Sequence, residues 1–153
     1  MLNSTSASEN LSSVDLPPGV HRALFDLWHT KSAPGRLPAR SMFDPSEMPD
    51  LLPHLVMFDV EYDPLRFRIR LVGTAVVEAM GVDTTGRYLD ELDRINDVHR
   101  RAETIATTRK PYFRQDLPLT WTHLDFKKYS VLGVPLAEDG QTVDKLLYTM
   151  RFE

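Results

Sequence analysis

The sequence predicts an α+β domain, in which an antiparallel sheet carries helices on one face. Two strand hairpins with a helical stretch between them support this prediction. In the first hairpin, residues 66–71 alternate arginines with apolar residues, which is the period of a half-buried strand. In the last hairpin, Asp139-Gly140 separates two apolar runs. The chain therefore has strands near its start, helices in the middle and strands near its end. This order indicates one sheet that is made from both hairpins.

The composition is that of a globular domain, and it excludes several functional classes. The chain has 153 residues, 42% of them hydrophobic, which suffices for one domain with its own core. A formal net charge of −4 argues against a nucleic-acid partner, which would need a basic surface. There is no cysteine, and no apolar run reaches the ~20 residues of a membrane span. We therefore expect a cytoplasmic protein.

The chain divides into three parts by local composition. Residues 1–17 lack the basic start and apolar core of a signal peptide, and we expect them to form a disordered tail. Residues 18–54 are predicted to form an N-terminal helix followed by an extended cap. Residues 55–153 then form the core of the domain.

An apolar helical stripe near the start of the chain predicts an amphipathic helix. Its members recur at i, i+4, i+7 and i+8: Val20, Leu24, Leu27 and Trp28. A Pro-Pro-Gly run precedes the stripe and a Pro-Gly pair follows it. We expect this helix either to cap its own domain or to meet the same helix of a second copy, and the pattern leaves both open. Further along, Asp44, Pro45 and Glu47 form a capping box for a short helix.

The charge pattern of the first hairpin predicts its register. Folding residues 55–73 about Asp63-Pro64 places two acid–arginine pairs on one face, Glu61 with Arg66 and Asp59 with Arg68. The apolar pairs on the other face are Val60 with Phe67, Phe58 with Ile69 and Val56 with Leu71. In this register Arg70 lies opposite Met57 and has no acidic partner, which leaves it the most available of the three arginines for an anionic ligand or partner.

Helical spacing follows this hairpin. After Gly73, the hydroxyl of Thr74 is expected to cap a short helix, and Gly81 is expected to end it in the left-handed conformation. A short segment at Leu89 and a longer helix come next. The apolar positions of the longer helix are Ile95, Val98, Ala102 and Ile105.

The last third of the chain returns to strand patterns. Apolar residues alternate from Phe113 to Trp121, and Pro118 indicates an edge strand or a bulge. Two final strands are predicted over residues 125–136 and 143–152. Symmetric pairing about Asp139-Gly140 places Val131 opposite Tyr148 on an apolar face, and Ser130 opposite Thr149 on a mixed face.

Several short motifs carry a resemblance to a known family. They are Trp28, Leu37-Pro38-Ala39-Arg40, Asp44-Pro45, Leu51-Leu52-Pro53, Phe67-Arg68-Ile69-Arg70-Leu71-Val72-Gly73-Thr74, Gly81, Thr85-Gly86-Arg87, Leu89, Val134-Pro135-Leu136 and Asp139-Gly140. With these motifs and this element order the sequence resembles a PAS domain, in particular a family of short stand-alone bacterial PAS proteins long catalogued as domains of unknown function. The resemblance implies a five-stranded sheet in the order 2-1-5-4-3, with helices on one face and an extra N-terminal helix.

The resemblance also implies a sensory or signalling role. We expect a module that binds a small apolar molecule or a protein partner and signals in trans, because the chain has no room for an output domain. Dimerisation through the N-terminal helix is expected as well. The residues predicted to surround a ligand cavity are Phe58, Phe67, Ile69, Val77, Met80, Ile95, Val98, His99 and Tyr148. The same side chains could instead fill the cavity and leave a docking module without a ligand.

Other functions have weaker support in the sequence. A light-sensing flavin adduct needs a cysteine, which the chain lacks. Haem ligation through His99, at the edge of the apolar face of the long helix, stays an alternative. No histidine pair has the spacing of a zinc helix, so no metal site is expected. No nucleophile–base motif is visible, so we expect no enzyme, although a small α+β enzyme acting on an apolar substrate stays an alternative.

Overall fold

The computed structural model of the protein describes residues 11–92, 96–119 and 128–153. Within these ranges the helices are α1 (Val20–Lys31), α2 (Thr74–Met80) and α3 (Asn96–Thr108). The strands are β1 (Leu55–Glu61), β2 (Arg66–Val72), β3 (Tyr112–Pro118), β4 (Lys128–Leu136) and β5 (Lys145–Phe152). Short 3₁₀ turns lie at Ser13–Asp15, Arg40–Met42, Pro45–Glu47, Leu52–His54 and Leu89–Glu91. Over the described ranges, every helix is too short or too polar to cross a membrane.

The five strands form one antiparallel sheet in the order β2-β1-β5-β4-β3. Strand β1 pairs with β5, so the first and last hairpins are joined into a single sheet. Strand β3 lies at the edge beside β4, a position that tolerates Pro118. The predicted α+β class and the strand order implied by the resemblance are both confirmed.

The register of the β1–β2 hairpin is as predicted near its turn and different further away. Four pairs, from Glu61 with Arg66 to Phe58 with Ile69, are confirmed. The predicted pair of Val56 with Leu71 is wrong, because a bulge leaves Arg70 unpaired and places Leu71 opposite Met57. A bulge inserts one extra residue, so the side chains beyond it exchange faces. Leu71 is consequently 37% exposed on the outer face of the sheet.

The β4–β5 pairing is shifted by two residues from the prediction. Val131 lies opposite Met150, and Ser130 lies opposite Arg151. The connection over residues 137–144 is longer than a two-residue turn, because the Asp139 carboxylate accepts hydrogen bonds from the amides of residues 141 and 142. A shift of two residues keeps every side chain on its predicted face. The apolar and mixed faces are therefore as predicted, although the partners are wrong.

Helix α1 covers the outer, mixed face of its own sheet, where it contacts β4 and β5. Its buried side is formed by His21, Leu24, Phe25 and Trp28. The indole nitrogen of Trp28 donates a 2.8 Å hydrogen bond to the carbonyl of Pro135 on β4. All four predicted stripe residues pack against the core: Leu24 and Trp28 are buried, and Val20 and Leu27 are partly buried. The buried side also includes His21 and Phe25, which the stripe did not contain.

The segment between α1 and β1 covers the rest of the outer face. It is tied to the β4–β5 connection by two backbone hydrogen bonds, Leu37 to Gly140 and Ala137 to Pro38, both 2.9 Å long. The predicted capping box at Asp44 is confirmed: its carboxylate accepts from the amide of Ser46, and Glu47 reaches back to the Asp44 amide.

The N-cap of helix α2 lies one residue earlier than predicted. Gly73 is the N-cap, and Thr74 lies inside the helix without a capping hydrogen bond, so the predicted capping role of Thr74 is wrong. Gly73 is required by a close approach, because a Cβ there would lie 2.3 Å from the carbonyl oxygen of Pro53. The predicted end of the helix is confirmed, since Gly81 is left-handed with φ of 81°.

The inner face of the sheet is largely apolar and is covered by α2, α3 and the turn at Leu89–Glu91. Ala102 and Ile105 of α3 are fully buried there. A Cβ on Gly133 of β4 would lie 2.5 Å from the Tyr148 ring and 2.6 Å from the Ile105 methyl. The glycine therefore lets a strand, an aromatic ring and a helix meet at the centre of the core.

Candidate functional site

An apolar cavity of about 80 Å³ lies under the inner face of β1 and β2. Its walls come from both strands, from α2, from the turn at Leu89 and from the first part of α3. The lining among the described residues is almost entirely apolar, and Thr84 is its one polar side chain. Apolar walls of this kind favour an apolar guest over water.

The structure brings four of the predicted site residues together on the cavity wall: Phe58, Ile69, Met80 and Val98. Phe67, Val77, His99 and Tyr148 do not line it. Phe67 is fully buried beside His99, and Tyr148 packs against Phe58 with ring centroids 5.0 Å apart. The predicted cavity residue Ile95 lies outside the described residues.

Several cavity residues were missed by the sequence analysis, and structural features explain two of them, Val72 and Val76. The bulge at Arg70 turns Val72 inward, where it joins Val56 on the wall. The earlier N-cap of α2 places Val76, and not Val77, toward the sheet. Met150 of β5 completes that side. The missed signal at Val76 is its spacing of four from Met80, which puts both on one helical face.

The size of the cavity limits what it can hold. Its volume of about 80 Å³ is below the roughly 150 Å³ of an apolar cavity that accepts benzene. A molecule of more than a few heavy atoms therefore requires the side chains around it to move. Met80 and Met150 are suited to such movement, because methionine is unbranched and adapts to irregular space.

Tyr148 supplies a polar group in the core beside this region. Its hydroxyl is buried and, within the described part of the chain, has no hydrogen-bond partner. Burial raises the pKa of Tyr148 well above its usual value, so the phenol stays neutral. An unsatisfied buried hydroxyl costs about 1–3 kcal/mol.

His99 does not line the apolar cavity that the haem alternative would need. Its Nδ1 lies 3.3 Å from a carboxylate oxygen of Glu103, one turn along α3, and its ring meets the edge of Phe67. The apolar cavity is also far smaller than a haem macrocycle. Among the described residues, no group of three or more acidic or histidine side chains is placed to hold a metal ion.

His21 is a buried polar residue whose structural role the sequence did not specify. Its Nδ1 lies 2.8 Å from Thr149 Oγ1 on β5, and its Nε2 lies 2.8 Å from Ser130 Oγ on β4. Desolvation, and then the nearby charge of Arg151, lower the pKa of His21 from 6.5 to about 4. A neutral imidazole therefore ties α1 to the two central strands.

The charged face of β1 and β2 is paired differently from the prediction. Arg66 donates to both oxygens of Asp90, at 2.8 and 2.9 Å, and does not bond Glu61. Asp59 pairs with Lys145 at 3.2 Å and with Arg70 at 3.6 Å, in place of the predicted Arg68. Arg70 therefore has an acidic partner, and the prediction that it lacks one is wrong.

A comparison with models of protein families identifies the family of this chain. A family model described as a PAS domain matches residues 18–147, which is most of the chain. This protein belongs to the PAS domain family. PAS domains are typically sensory or signalling modules. No curated protein matches the sequence of this PAS domain.

Solved structures with TM-scores of 0.50 and 0.52 show the same fold. A PAS domain of the histidine kinase ThkA is 15% identical, with a TM-score of 0.50, over 64% of this chain and 98% of that one. A light-oxygen-voltage domain studied with a flavin analogue is 11% identical, with a TM-score of 0.52, over 71% and 82% of the two chains. A sensory box histidine kinase from Vibrio cholerae is 20% identical, with a TM-score of 0.49, over 71% and 88%. At these identities the likeness concerns the fold alone.

Proposed function

We propose that this PAS domain is a cytoplasmic sensory module that binds a small apolar molecule in the inner cavity and signals in trans. The observation that carries the proposal is the cavity itself, a partly open space of about 80 Å³ with apolar walls from the sheet, α2, the turn at Leu89 and α3. Space of this kind in a close-packed core costs stability unless something occupies it. A small guest would recover the lost contacts.

The route from the cavity to the outside of the domain runs through β5. Met150 lines the cavity, and the preceding residue, Thr149, points to the other face and bonds His21 of α1. Consecutive strand residues share a backbone and face opposite ways. A guest that shifts Met150 therefore shifts the contact that holds α1, and α1 is the part of the domain best placed to report occupancy.

The exposed side of α1 is the proposed contact for a second copy or a signalling partner. Val20 and Leu27 are only partly buried by the domain itself. A shallow recess between α1 and residues 47–51 is lined by Leu27 and Met48. Covering these groups in a homodimer, or with a signalling protein, would remove apolar surface from water.

A docking module without a ligand is the second candidate. On the outer face, Leu52 and Leu71 are 38% and 37% exposed and flank a recess of about 50 Å³. Exposed apolar surface of this kind is typical of protein contact sites. We propose no enzymatic activity, because the described lining of the inner cavity holds no titratable side chain that could act as an acid or base.

Native mass spectrometry of the protein as purified tests the sensor against the docking module. The sensor predicts an added mass that the variant Val76→Ile loses, since the extra methyl group enters the cavity. Val82→Ile is the matched control, because Val82 is 56% exposed and does not line the cavity. An unliganded mass together with a mass increase only on adding a protein partner would contradict the sensor and favour docking.

A further inference from the structure

A second concavity lies between α3 and β3, and it shares no residue with the apolar cavity. It has a volume of about 440 Å³ and is open to solvent at one side. One wall is the face of α3 that carries positions 97, 100, 101 and 104, and the other is the inward side of β3. We call it the arginine cleft, and its described lining is Asp97, Arg100, Arg101, Thr104, Tyr112, Arg114, Leu117 and Pro118.

The arginine cleft has an excess of positive charge, although the whole chain has a formal net charge of −4. Three arginines face one acid, and that acid, Asp97, pairs with Arg100 at 3.1 Å on the exposed rim. In the described part of the chain, no carboxylate lies within ion-pair distance of Arg101 or Arg114. Arg101 donates a 2.7 Å hydrogen bond to the Tyr129 hydroxyl, and Arg114 lies 3.4 Å from the Tyr112 hydroxyl.

Arg114 carries its positive charge at an unusual position, on the inner face of the sheet. Arg114 is opposite Val131, on the side of the sheet that α3 covers, so its guanidinium points under the helix. Its Nε is buried and has no hydrogen-bond partner among the residues that the structure describes. A buried donor without an acceptor costs free energy, and the cost is greater for a charged group. The group that would satisfy it is an acceptor that enters the cleft from solvent.

We propose that the arginine cleft binds a small organic oxyanion, carried on a carboxylate or a phosphate. Guanidinium groups hold such anions with paired N–H donors. Arg101 from the helix and Arg114 from the strand supply the donors. The ring of Tyr112, with Leu117 and Pro118, supplies an apolar surface for the body of the ligand. This site is independent of the proposed sensing of an apolar molecule.

Calorimetric titration of the full chain with benzoate, phenyl phosphate and inorganic phosphate tests the site. At least one of the two aromatic anions is expected to bind, and which of them binds identifies the anionic group. Arg114→Gln and Arg101→Gln are each expected to weaken binding by about tenfold or more. Arg87→Gln is the charge-matched control, since Arg87 is an exposed arginine outside the cleft, and it is expected to leave affinity unchanged.

Arg114→Lys keeps the charge and removes the paired donors, so it tests recognition even if the glutamine variant fails to fold. It is expected to bind several-fold more weakly than the parent protein, with an unchanged thermal midpoint. The proposal is overturned if neither aromatic anion binds at about 10 mM, if Arg87→Gln weakens binding as much as Arg114→Gln, or if Arg114→Lys retains full affinity. Inorganic phosphate that binds as tightly as phenyl phosphate would overturn the role of the apolar surface.

Discussion

The imidazole of His21 lies 2.8 Å from the hydroxyl of Thr149, and this contact joins α1 to β5. The next residue on β5, Met150, faces the opposite way and lines the inner cavity. One pair of consecutive residues therefore contacts both the N-terminal helix and the space that we propose to hold a ligand. The stability of α1 on the sheet and the state of the cavity are expected to depend on each other.

Acid is expected to loosen α1 because of His21. The pKa of the imidazole is 6.5 in the unfolded chain and about 4 in the folded chain. Between these two pH values the imidazole is therefore protonated in the unfolded chain and neutral in the folded chain. Stability is then full above pH ~6.5 and falls by roughly 3 kcal/mol as the pH drops to about 4. Thermal denaturation across this range measures the effect. His21→Gln should flatten the curve, whereas His29→Gln, at an exposed position of α1, should not.

Trp28 is expected to be the strongest single attachment of α1. Trp28→Ala removes a buried ring and its bond to Pro135, and should lower the free energy of unfolding by about 3–5 kcal/mol. Trp28→Phe keeps most of the packing and loses the hydrogen bond, so about 1 kcal/mol is expected. Urea denaturation measures both. Equal losses for the two variants would show that the hydrogen bond, and not the packing, dominates.

Two substitutions at the start of α2 separate the effect of the close approach at Gly73 from the effect of a capping hydrogen bond at Thr74. Gly73→Ala should destabilise the domain by several kcal/mol, because a Cβ would meet the backbone oxygen of Pro53, which cannot move aside. Thr74→Ala should change stability by less than about 0.5 kcal/mol, since Thr74 is exposed and makes no capping bond. Chemical denaturation of both variants tests this. A loss of about 1 kcal/mol or more for Thr74→Ala would restore the capping role that the sequence predicts.

Tyr148 and Tyr129 should respond oppositely to loss of the hydroxyl. Tyr148→Phe removes a buried hydroxyl without a partner in the described ranges, so stability should be unchanged or higher by up to about 1 kcal/mol. Tyr129→Phe removes the acceptor for Arg101 and should cost about 1–3 kcal/mol. Thermal midpoints of the two single variants provide the comparison. Destabilisation by Tyr148→Phe would show that its hydroxyl is bonded in solution.

The sequence predicted the faces of the sheet better than its pairings. Period-two alternation determines which way each side chain points, and this survives the two-residue shift between β4 and β5. The bulge at Arg70 could not be predicted, because it arises from the fit of β2 against β1 and not from local propensity. That one residue exposed Leu71 and moved Val72 into the cavity wall.

The candidate site was predictable only in part, because several of its residues depend on contacts between segments that are distant in the sequence. Phe58 and Ile69 follow from alternation near the turn, where the register was right. The role of His21 depends on Ser130 and Thr149, which lie 109 and 128 residues away in the chain, and no local pattern links them. The inward placement of Arg114 likewise depends on where α3 crosses β3.

Methyl NMR under xenon pressure tests most directly whether occupancy of the cavity reaches α1. Xenon enters dry apolar cavities, and Met80 and Met150 place ¹³C-methyl labels on the wall. We predict that these two methyl signals and the ring signals of His21 shift together with one dissociation constant, while exposed Met42 does not respond. Methyl shifts at Met80 and Met150 without any change at His21 would contradict the coupling, and unchanged methyl signals would contradict the cavity as a binding site.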